Sequence, residues 1–232
     1  MHKKITLGAA TAVASTAFLL ATGSAHATTP AAIWKLDEPV GSTVVDSSPN
    51  GLNGTIGSGI FAGTSTDTGH GYRFPAITDG LKHDEHLAVV GDNSLLEPES
   101  GDFSVTVRLK TGAGNQNIAQ KGQANMTGGY WKIDMNQGIP ICLFRDYLQV
   151  TSAKTWGATI WNNQYHSITC AKTGNVVSIS VDGAAAKTNV KTLGNIDNNK
   201  SLSIGGKLYC TPPSVGCDYF VGVIDNVEID HS

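Results

Sequence analysis

The stretch VVSISVDG at residues 176–183 decides the fold class. Valine and isoleucine alternate with serine over residues 177–181, which gives an extended segment one apolar face and one polar face. The pair Asp182-Gly183 suits a two-residue hairpin turn, because both central positions of that turn have positive φ. The stretch therefore predicts a half-buried β-strand that ends in a hairpin.

Similar strand patterns recur along the rest of the chain. Runs rich in β-branched and aromatic residues are separated by turn residues, and helical periodicity is nearly absent after residue 28. Twelve strands are predicted, at residues 32–36, 87–90, 103–109, 118–121, 130–134, 141–144, 147–151, 166–171, 176–181, 185–189, 202–204 and 219–228. So many short strands in one domain predict an all-β sandwich or jelly roll.

The composition agrees with a β-protein rich in turns. Glycine contributes 27 of 232 residues, which exceeds the usual ~7%. The net charge of −3 gives no basic surface for a phosphate backbone, so we expect no nucleic acid partner. Anionic membrane surfaces are disfavoured for the same reason.

The first 27 residues have the pattern of a secretory signal peptide. A basic start, His2-Lys3-Lys4, precedes an apolar stretch at 5–22, and Ala25-His26-Ala27 has the small-x-small form of a cleavage site. A membrane-spanning helix is the alternative, but hydroxylated residues interrupt the stretch and no basic flank follows it. We expect residues 28–232 to form one secreted, extracellular domain, with no membrane insertion after signal removal.

All four cysteines lie in the predicted exported part. An even number in an oxidising compartment favours two disulfides over a metal site or a catalytic thiol. Three pairings are possible. Cys210 and Cys217 enclose a loop rich in proline and glycine that one disulfide would close, which leaves Cys142 to pair with Cys170.

Several segments, compared in chain order, point to a known family. The first are WKLDE at residues 34–38 and GSTVVDSSPNGLNGT at 41–55. The later ones lie at residues 71–74, 103–108, 161–168, 177–183, 202–206 and 220–229. Together they resemble the laminin-G-like, or concanavalin A-like lectin/glucanase, jelly rolls over about residues 32–230. The resemblance implies a sandwich of two antiparallel sheets, one of them curved, whose first and last strands are adjacent.

Two acidic residues and this resemblance suggest a structural calcium ion. Asp37 follows the first predicted strand and Asp225 lies in the last one, so adjacent terminal strands would bring both carboxylates together. Neighbouring carboxylates repel each other unless a cation lies between them, and calcium prefers hard oxygen ligands. Asn53 and Gly54 offer further carbonyl oxygens. The alternative is that Asp37 and Asp46 only cap turns.

Residues 83–86, His-Asp-Glu-His, place two imidazoles and two carboxylates within four residues. On a strand, His83 and His86 would face opposite sides, and the metalloprotease pattern needs two histidines four residues apart on a helix. We therefore expect a solvated polar loop that leads into the strand at 87–90.

The implied fold also carries glucanases and polysaccharide lyases. Retaining hydrolysis needs two carboxylates about 5 Å apart, which the fold displays as Glu-x-Asp-x-Glu on a strand. The nearest run, KIDMN at residues 132–136, has lysine and asparagine where the glutamates would stand. Side chains suited to lyase chemistry occur, but nothing in the sequence brings them together: Arg145, Tyr147, Tyr165 and His166. No catalytic residue is predicted.

Aromatic side chains suggest a binding function, because a flat ring stacks on the apolar face of a sugar. Trp34 and Trp161 match strand positions of the family, so we expect both in the core. Tyr130 and Trp131 point to opposite faces of one strand, so one of them faces outward. Trp156 lies in a turn-like segment, where its alternative role is to cover a sheet edge. The candidate ligand contacts are Trp156, Trp131, Tyr130 and Arg145.

Three classes of function remain open. The first is a secreted non-catalytic module that binds carbohydrate, on an extracellular polysaccharide or glycoprotein. The second is a protein-interaction or cell-surface structural module, because laminin-G-like domains bind proteins as readily as sugars. The third is a polysaccharide hydrolase or lyase. The fold alone does not choose among them.

Overall fold

The computed structural model describes residues 29–39, 41–147 and 152–232. The predicted signal peptide and residues 148–151 of one predicted strand lie outside these ranges. Among the described residues, no helix is long and apolar enough to cross a membrane. The strands are β1 (Ala32–Trp34), β2 (Thr43–Val44), β3 (Gly54–Ile56), β4 (Phe61–Ser65), β5 (His70–Phe74), β6 (Ala88–Val90), β7 (Phe103–Lys110), β8 (Gln116–Lys121), β9 (Tyr130–Asn136), β10 (Ile139–Arg145), β11 (Ser152–Trp156), β12 (Tyr165–Thr173), β13 (Val176–Val181), β14 (Lys187–Val190), β15 (Leu202–Ile204) and β16 (Gly222–His231). Short 3₁₀ turns lie at Asp84–His86 and Ser94–Leu96.

The strands form two antiparallel sheets of eight strands each. Sheet A has the order β14-β13-β12-β7-β16-β5-β4, and β1 also pairs with β16. Sheet B has the order β11-β10-β9-β8-β15-β6-β3-β2. The predicted all-β, concanavalin A-like jelly-roll sandwich is confirmed. The first and last strands are adjacent, with Ala32 opposite Ile229 and Trp34 opposite Val227.

The core lies between the sheets and follows the alternation of the strands. Every second residue of β7 is buried along its whole length. On β13, Val177, Ile179 and Val181 are buried, as the alternation predicts. The largest core side chains are aromatic, and burying each stabilises the fold by roughly 1.5–3 kcal/mol: Trp34, Trp131, Tyr72, Phe74 and Phe144.

The predicted turns and strands are mostly present. Asp182 and Gly183 have φ values of 53° and 69°, which fits the predicted hairpin between β13 and β14. Strands β2 to β5 have no counterpart among the twelve predicted strands, although residues 71–74 match a segment of the family. β2 has only two residues, and β3, β4 and β5 each contain a glycine, which weakens the strand pattern. The turn-like interpretation of residues 152–157 is wrong, because residues 152–156 form strand β11 against β10.

The structure contains two disulfides, and no cysteine is free in the described chain. Cys142 on β10 pairs with Cys170 on β12, so this disulfide joins sheet B to sheet A through the core. Cys210 pairs with Cys217 and closes the loop between β15 and β16. The favoured pairing is therefore the one observed.

Candidate functional site

The strand register places three of the four candidate ligand contacts on the outer face of sheet B. Tyr130 on β9 lies opposite Arg145 on β10, and Trp156 on β11 lies opposite Ile141 on β10. Ile141 and Arg145 are four residues apart on one strand, so their side chains point to the same side. We call the outward residues of β9, β10 and β11 the sheet B face. It also carries Lys132, Asp134, Leu143 and Lys154.

Trp131 faces the core instead. Its side chain is fully buried, and its indole Nε1 donates a hydrogen bond of 2.8 Å to the carbonyl of Leu96. The ring packs against Phe103 with centroids 5.6 Å apart. A ring with no exposed surface cannot stack on a ligand, so the structure removes Trp131 from the candidate contacts.

Tyr130 faces outward but is mostly covered. It lines a cavity of ≈ 90 Å³ together with Lys207 and Val215, which lie near and within the disulfide-closed loop. Burial raises the pKa of the Tyr130 hydroxyl, and the nearby Arg145 guanidinium opposes that rise. Tyr130 and Arg145 therefore form one packed group, and most of the ring is out of reach of a ligand.

Trp156 is the exposed aromatic side chain of the sheet B face. It is 39% exposed and lies on β11, the edge strand of the sheet. Lys154 Nζ lies 4.8 Å from the centroid of its ring. The edge position leaves part of the indole open to solvent beside a cationic group.

Trp161 is also exposed, which corrects its expected place in the core. It is 51% exposed, and its ring lies against the backbone of two glycines. A Cβ atom on Gly138 would lie 2.5 Å from Trp161 Cβ, and one on Gly114 would lie 2.8 Å from Trp161 Cζ3. Gly138 is in the turn between β9 and β10, three residues before Ile141, the partner of Trp156. The two exposed indoles, which we call the indole pair, therefore lie at the same end of sheet B.

A groove on sheet A contains both acidic residues of the predicted calcium site. Asp37 and Asp225 line this groove of ≈ 420 Å³. The guanidinium of Arg108 forms an ion pair with Asp225 and donates hydrogen bonds of 2.7 and 2.8 Å to both oxygens of Asp67. These hydrogen bonds hold the pKa of the Asp67 carboxyl below its ordinary value. The cation beside Asp225 in this structure is therefore an arginine side chain.

The other two predicted calcium ligands belong to a separate network. Asn53 Oδ1 accepts the backbone N–H of Asp46 at 2.8 Å, and Gly54 lies in the ladder between Val44 and Val90. The Asp46 carboxylate accepts backbone N–H groups of the same turn, so it has the capping role of the alternative interpretation. Arg108 pairs with Asp225, whereas Asn53 is hydrogen-bonded to Asp46. The four predicted ligands are therefore divided between two networks and do not fit one shared ion. Calcium stays a prediction.

The segment at 83–86 lies outside the strands and leads into β6, as expected for a polar loop, but part of it is a 3₁₀ turn. Asp84–His86 is a 3₁₀ turn, in which side chains three residues apart lie on the same side. His83 Nδ1 lies 2.7 Å from Glu85 Oε1, and His83 Nε2 lies 2.8 Å from Asp79 Oδ2. Glu85 and then Asp79 raise the pKa of His83 through these hydrogen bonds. His83 and His86 therefore lie on the same side of this segment, not on opposite sides as on a strand.

The family follows from a sequence comparison. The model described as Laminin G domain matches residues 100–232, which include all strands from β7 to β16. The chain belongs to the laminin G domain family. No curated protein matches the sequence.

Solved structures support the same fold for this laminin G domain. The binding domain of botulinum neurotoxin serotype G has a TM-score of 0.64 and 14% identity, over 86% of this chain and 47% of that chain. The binding domain of botulinum neurotoxin DC in complex with rat synaptotagmin II gives 0.63 and 12%, over 87% and 48%. The same domain in complex with SialylT gives 0.58 and 10%, over 86% and 46%. The laminin G domain thus spans about half the length of these solved chains.

The residues considered for lyase chemistry are divided between the two sheets of the laminin G domain. Arg145 lies on β10 of sheet B, whereas Tyr165 and His166 lie on β12 of sheet A. Both ring nitrogens of His166 have partners, Asp182 at 2.7 Å and Asn162 at 2.9 Å. The structure therefore does not bring these side chains around one reacting atom.

Proposed function

We propose that this laminin G domain is a secreted, non-catalytic module that binds carbohydrate through the indole pair. The single observation that carries the proposal is the exposure of Trp156 and Trp161 at one end of sheet B. The ligand class is an extracellular polysaccharide or the glycan of a glycoprotein.

The chemistry of the surface suits a sugar. Large aromatic rings bury 150–250 Å² when covered, so two exposed indoles offer much apolar area to the C–H face of a pyranose. Charged side chains lie on the same sheet face: Lys154 beside Trp156, and the Lys132–Asp134 ion pair on β9, two strands away from β11. These groups can exchange hydrogen bonds with the sugar hydroxyls, and such a mixture of apolar area and a few polar groups is typical of small-molecule sites.

Secretion is part of the proposal. Two disulfides, one of them across the core, form and persist in oxidising compartments. The N-terminal signal pattern and the disulfides thus favour the same location.

Protein binding is the second candidate. One solved neighbour is a binding domain in complex with rat synaptotagmin II, while another is in complex with SialylT. In this chain, Val190 is 73% exposed on β14, which is an edge strand of sheet A and could pair with a strand of a partner. β14 contacts β11, the strand of Trp156, through the hydrogen bond from Asn189 Nδ2 to the carbonyl of Lys154. Val190 is not part of the indole pair, so substitutions at Val190 and at the two tryptophans test the two functions separately.

The experiment is a glycan array followed by affinity electrophoresis on the best polysaccharide. We expect Trp156→Ala and Trp161→Ala each to weaken binding at least tenfold while the melting temperature stays nearly unchanged. Phe61→Ala is the matched control, because Phe61 is 51% exposed but lies on sheet A. Full binding by both tryptophan variants would show that the indole pair is not the site. If no glycan is retained but Val190→Asp abolishes capture of a protein partner, the second candidate replaces the first.

A further inference from the structure

We infer that His83, Glu85 and His86 form a binding site for a first-row transition-metal ion such as zinc. One ligand atom from each of the three residues lies within 4.8 Å of the others. This site is independent of the indole pair and of the groove that contains Asp37 and Asp225.

The 3₁₀ turn creates the geometry. It places His83 and His86, three residues apart, on the same side of the backbone, which an extended strand would not do. Glu85 reaches the cluster through its carboxylate, which lies 2.7 Å from His83 Nδ1. Ligand atoms around a tetrahedral ion at about 2.0–2.1 Å lie roughly 3.3 Å apart. Closing the cluster from 4.8 Å therefore needs small side-chain rotations and no rearrangement of the turn.

His83 already has the outer partner that a metal-binding imidazole normally has. Its Nε2 lies 2.8 Å from Asp79 Oδ2, and its Nδ1 lies 2.7 Å from Glu85 Oε1. Metal-binding histidines usually donate the second ring N–H to a carboxylate, which fixes the tautomer and the ring orientation. An ion between His83 Nδ1 and Glu85 would keep the contact with Asp79, so Asp79 is a positioning residue.

His86 supplies the second imidazole, and its environment is tightly defined. A Cβ atom on Gly59 would lie 2.6 Å from His86 Nε2, so the absence of a side chain at Gly59 allows the ring to fit. Nδ1 of His86 is buried and has no hydrogen-bond partner within the described chain. A buried nitrogen without a partner is unfavourable, and binding of a metal at this Nδ1 would offset that cost.

The surrounding contacts hold both rings in place. The centroids of the two imidazoles are 5.7 Å apart, and the ring of Tyr219 lies 6.4 Å from His86. The hydroxyl of Tyr219 accepts the backbone N–H of His83. The backbone N–H of Gly59 donates to the carbonyl of Glu85 at 2.8 Å. The turn is thus anchored on two sides by distant parts of the chain.

The donor set selects the class of metal. Two imidazoles and one carboxylate suit zinc, nickel or copper, whereas calcium and magnesium prefer oxygen ligands alone. Three protein ligands also leave a fourth tetrahedral position for water or for a group of a partner.

The test is isothermal titration of the protein, carrying no affinity tag, with zinc chloride. We expect the unaltered protein to bind zinc at the cluster. Its affinity for zinc should be at least tenfold lower in His83→Ala and in His86→Ala. Glu85→Gln keeps the side-chain shape and should lower affinity severalfold. His70→Ala is the matched control, because His70 is exposed on β5 outside the cluster and its loss should leave affinity unchanged.

Two further measurements keep the inference open to refutation. Cobalt bound at the site should give the visible absorption bands of tetrahedral coordination. These bands should be weaker in Asp79→Asn at the same total cobalt concentration. Melting curves without metal should be similar for all variants, which excludes unfolding as the cause of lost binding. The inference is overturned if the unaltered protein binds no zinc, or if His86→Ala binds zinc as well as His70→Ala does.

Discussion

Arg108 on β7 forms an ion pair with Asp225 on the neighbouring strand β16, inside the groove where calcium is predicted. The side chain of Asp225 is almost fully buried, whereas that of Arg108 is about one-quarter exposed. The ring of Tyr165 lies 4.3 Å from the guanidinium carbon. The arginine therefore neutralises a buried carboxylate that would otherwise need another cation.

The first prediction concerns this pair. Arg108→Gln should lower the free energy of unfolding by about 1–3 kcal/mol, because it leaves the Asp225 carboxylate buried without a cation. Millimolar calcium should raise the melting temperature of this variant more than that of the unaltered protein, because an ion can then lie between Asp37 and Asp225. Calorimetry in calcium and in EDTA measures both effects.

The control for the calcium effect is the double variant Arg108→Gln/Asp225→Asn, which should show no increment with calcium. Equal melting points in calcium and in EDTA, for the unaltered protein and for Arg108→Gln alike, would make the calcium prediction wrong.

The second prediction concerns Lys121, which is fully buried. Its ammonium lies 2.9 Å from Glu97 Oε2, 2.6 Å from Asp92 Oδ1 and 2.7 Å from the carbonyl of Asn198. Lys121→Ala should cost about 3–5 kcal/mol, because Glu97 is then left buried and without its partner. Urea unfolding at neutral pH measures the loss. The double variant Lys121→Met/Glu97→Gln should recover part of it, and a loss below ~1 kcal/mol in the single variant would contradict the argument.

The third prediction compares the two disulfides. Cys142 and Cys170 are separated by 28 residues and Cys210 and Cys217 by 7. Loop-closure entropy then gives a stabilisation of about 3.6 kcal/mol for the first disulfide and about 2.4 kcal/mol for the second. Cys142→Ala/Cys170→Ala should therefore lower the melting temperature more than Cys210→Ala/Cys217→Ala. The reverse order would show that strain or residual structure in the unfolded chain outweighs loop length.

The fold follows from the sequence because its signals are local. Strand β13 and its hairpin depend on alternation over a few residues and on Asp182-Gly183, which need no distant partner. The same local signal leaves a choice open at Tyr130 and Trp131. Alternation places them on opposite faces, but only the packing of sheet B against sheet A decides which one is buried.

The candidate site depends on partners that are distant in sequence. Asp225 is 117 residues from Arg108, so the cation beside it cannot be read from the neighbouring sequence. Trp161 lies outside the strands, between β11 and β12, where its ring contacts Gly114 and Gly138, and the local signal for a loop is only the pair Asn162-Asn163 after it. At residues 83–86, the expected polar loop contains a 3₁₀ turn, so strand alternation does not apply to the two histidines and they lie on the same side.

The fourth prediction concerns pH and Glu228, which lies on β16 between Ile33 and Thr106. Burial, and then repulsion by Asp230, raise the pKa of the Glu228 carboxyl above its ordinary value of 4.5. The folded state therefore favours the protonated form. The stability that this group contributes is present below pH 4.5 and is lost as the pH rises through the raised pKa.

Glu228→Gln should consequently be more stable than the unaltered protein at pH 7, by up to about 0.5 kcal/mol once solvent screening is included. The advantage should shrink as the pH falls and should vanish below the ordinary pKa, because glutamine resembles the protonated acid. Asp230→Asn should give the smaller part of the effect, since it removes the repulsion but leaves the burial. Urea unfolding at a series of pH values measures the three proteins, and an advantage that stays constant down to pH 4 would show that the ionisation of Glu228 is not its cause.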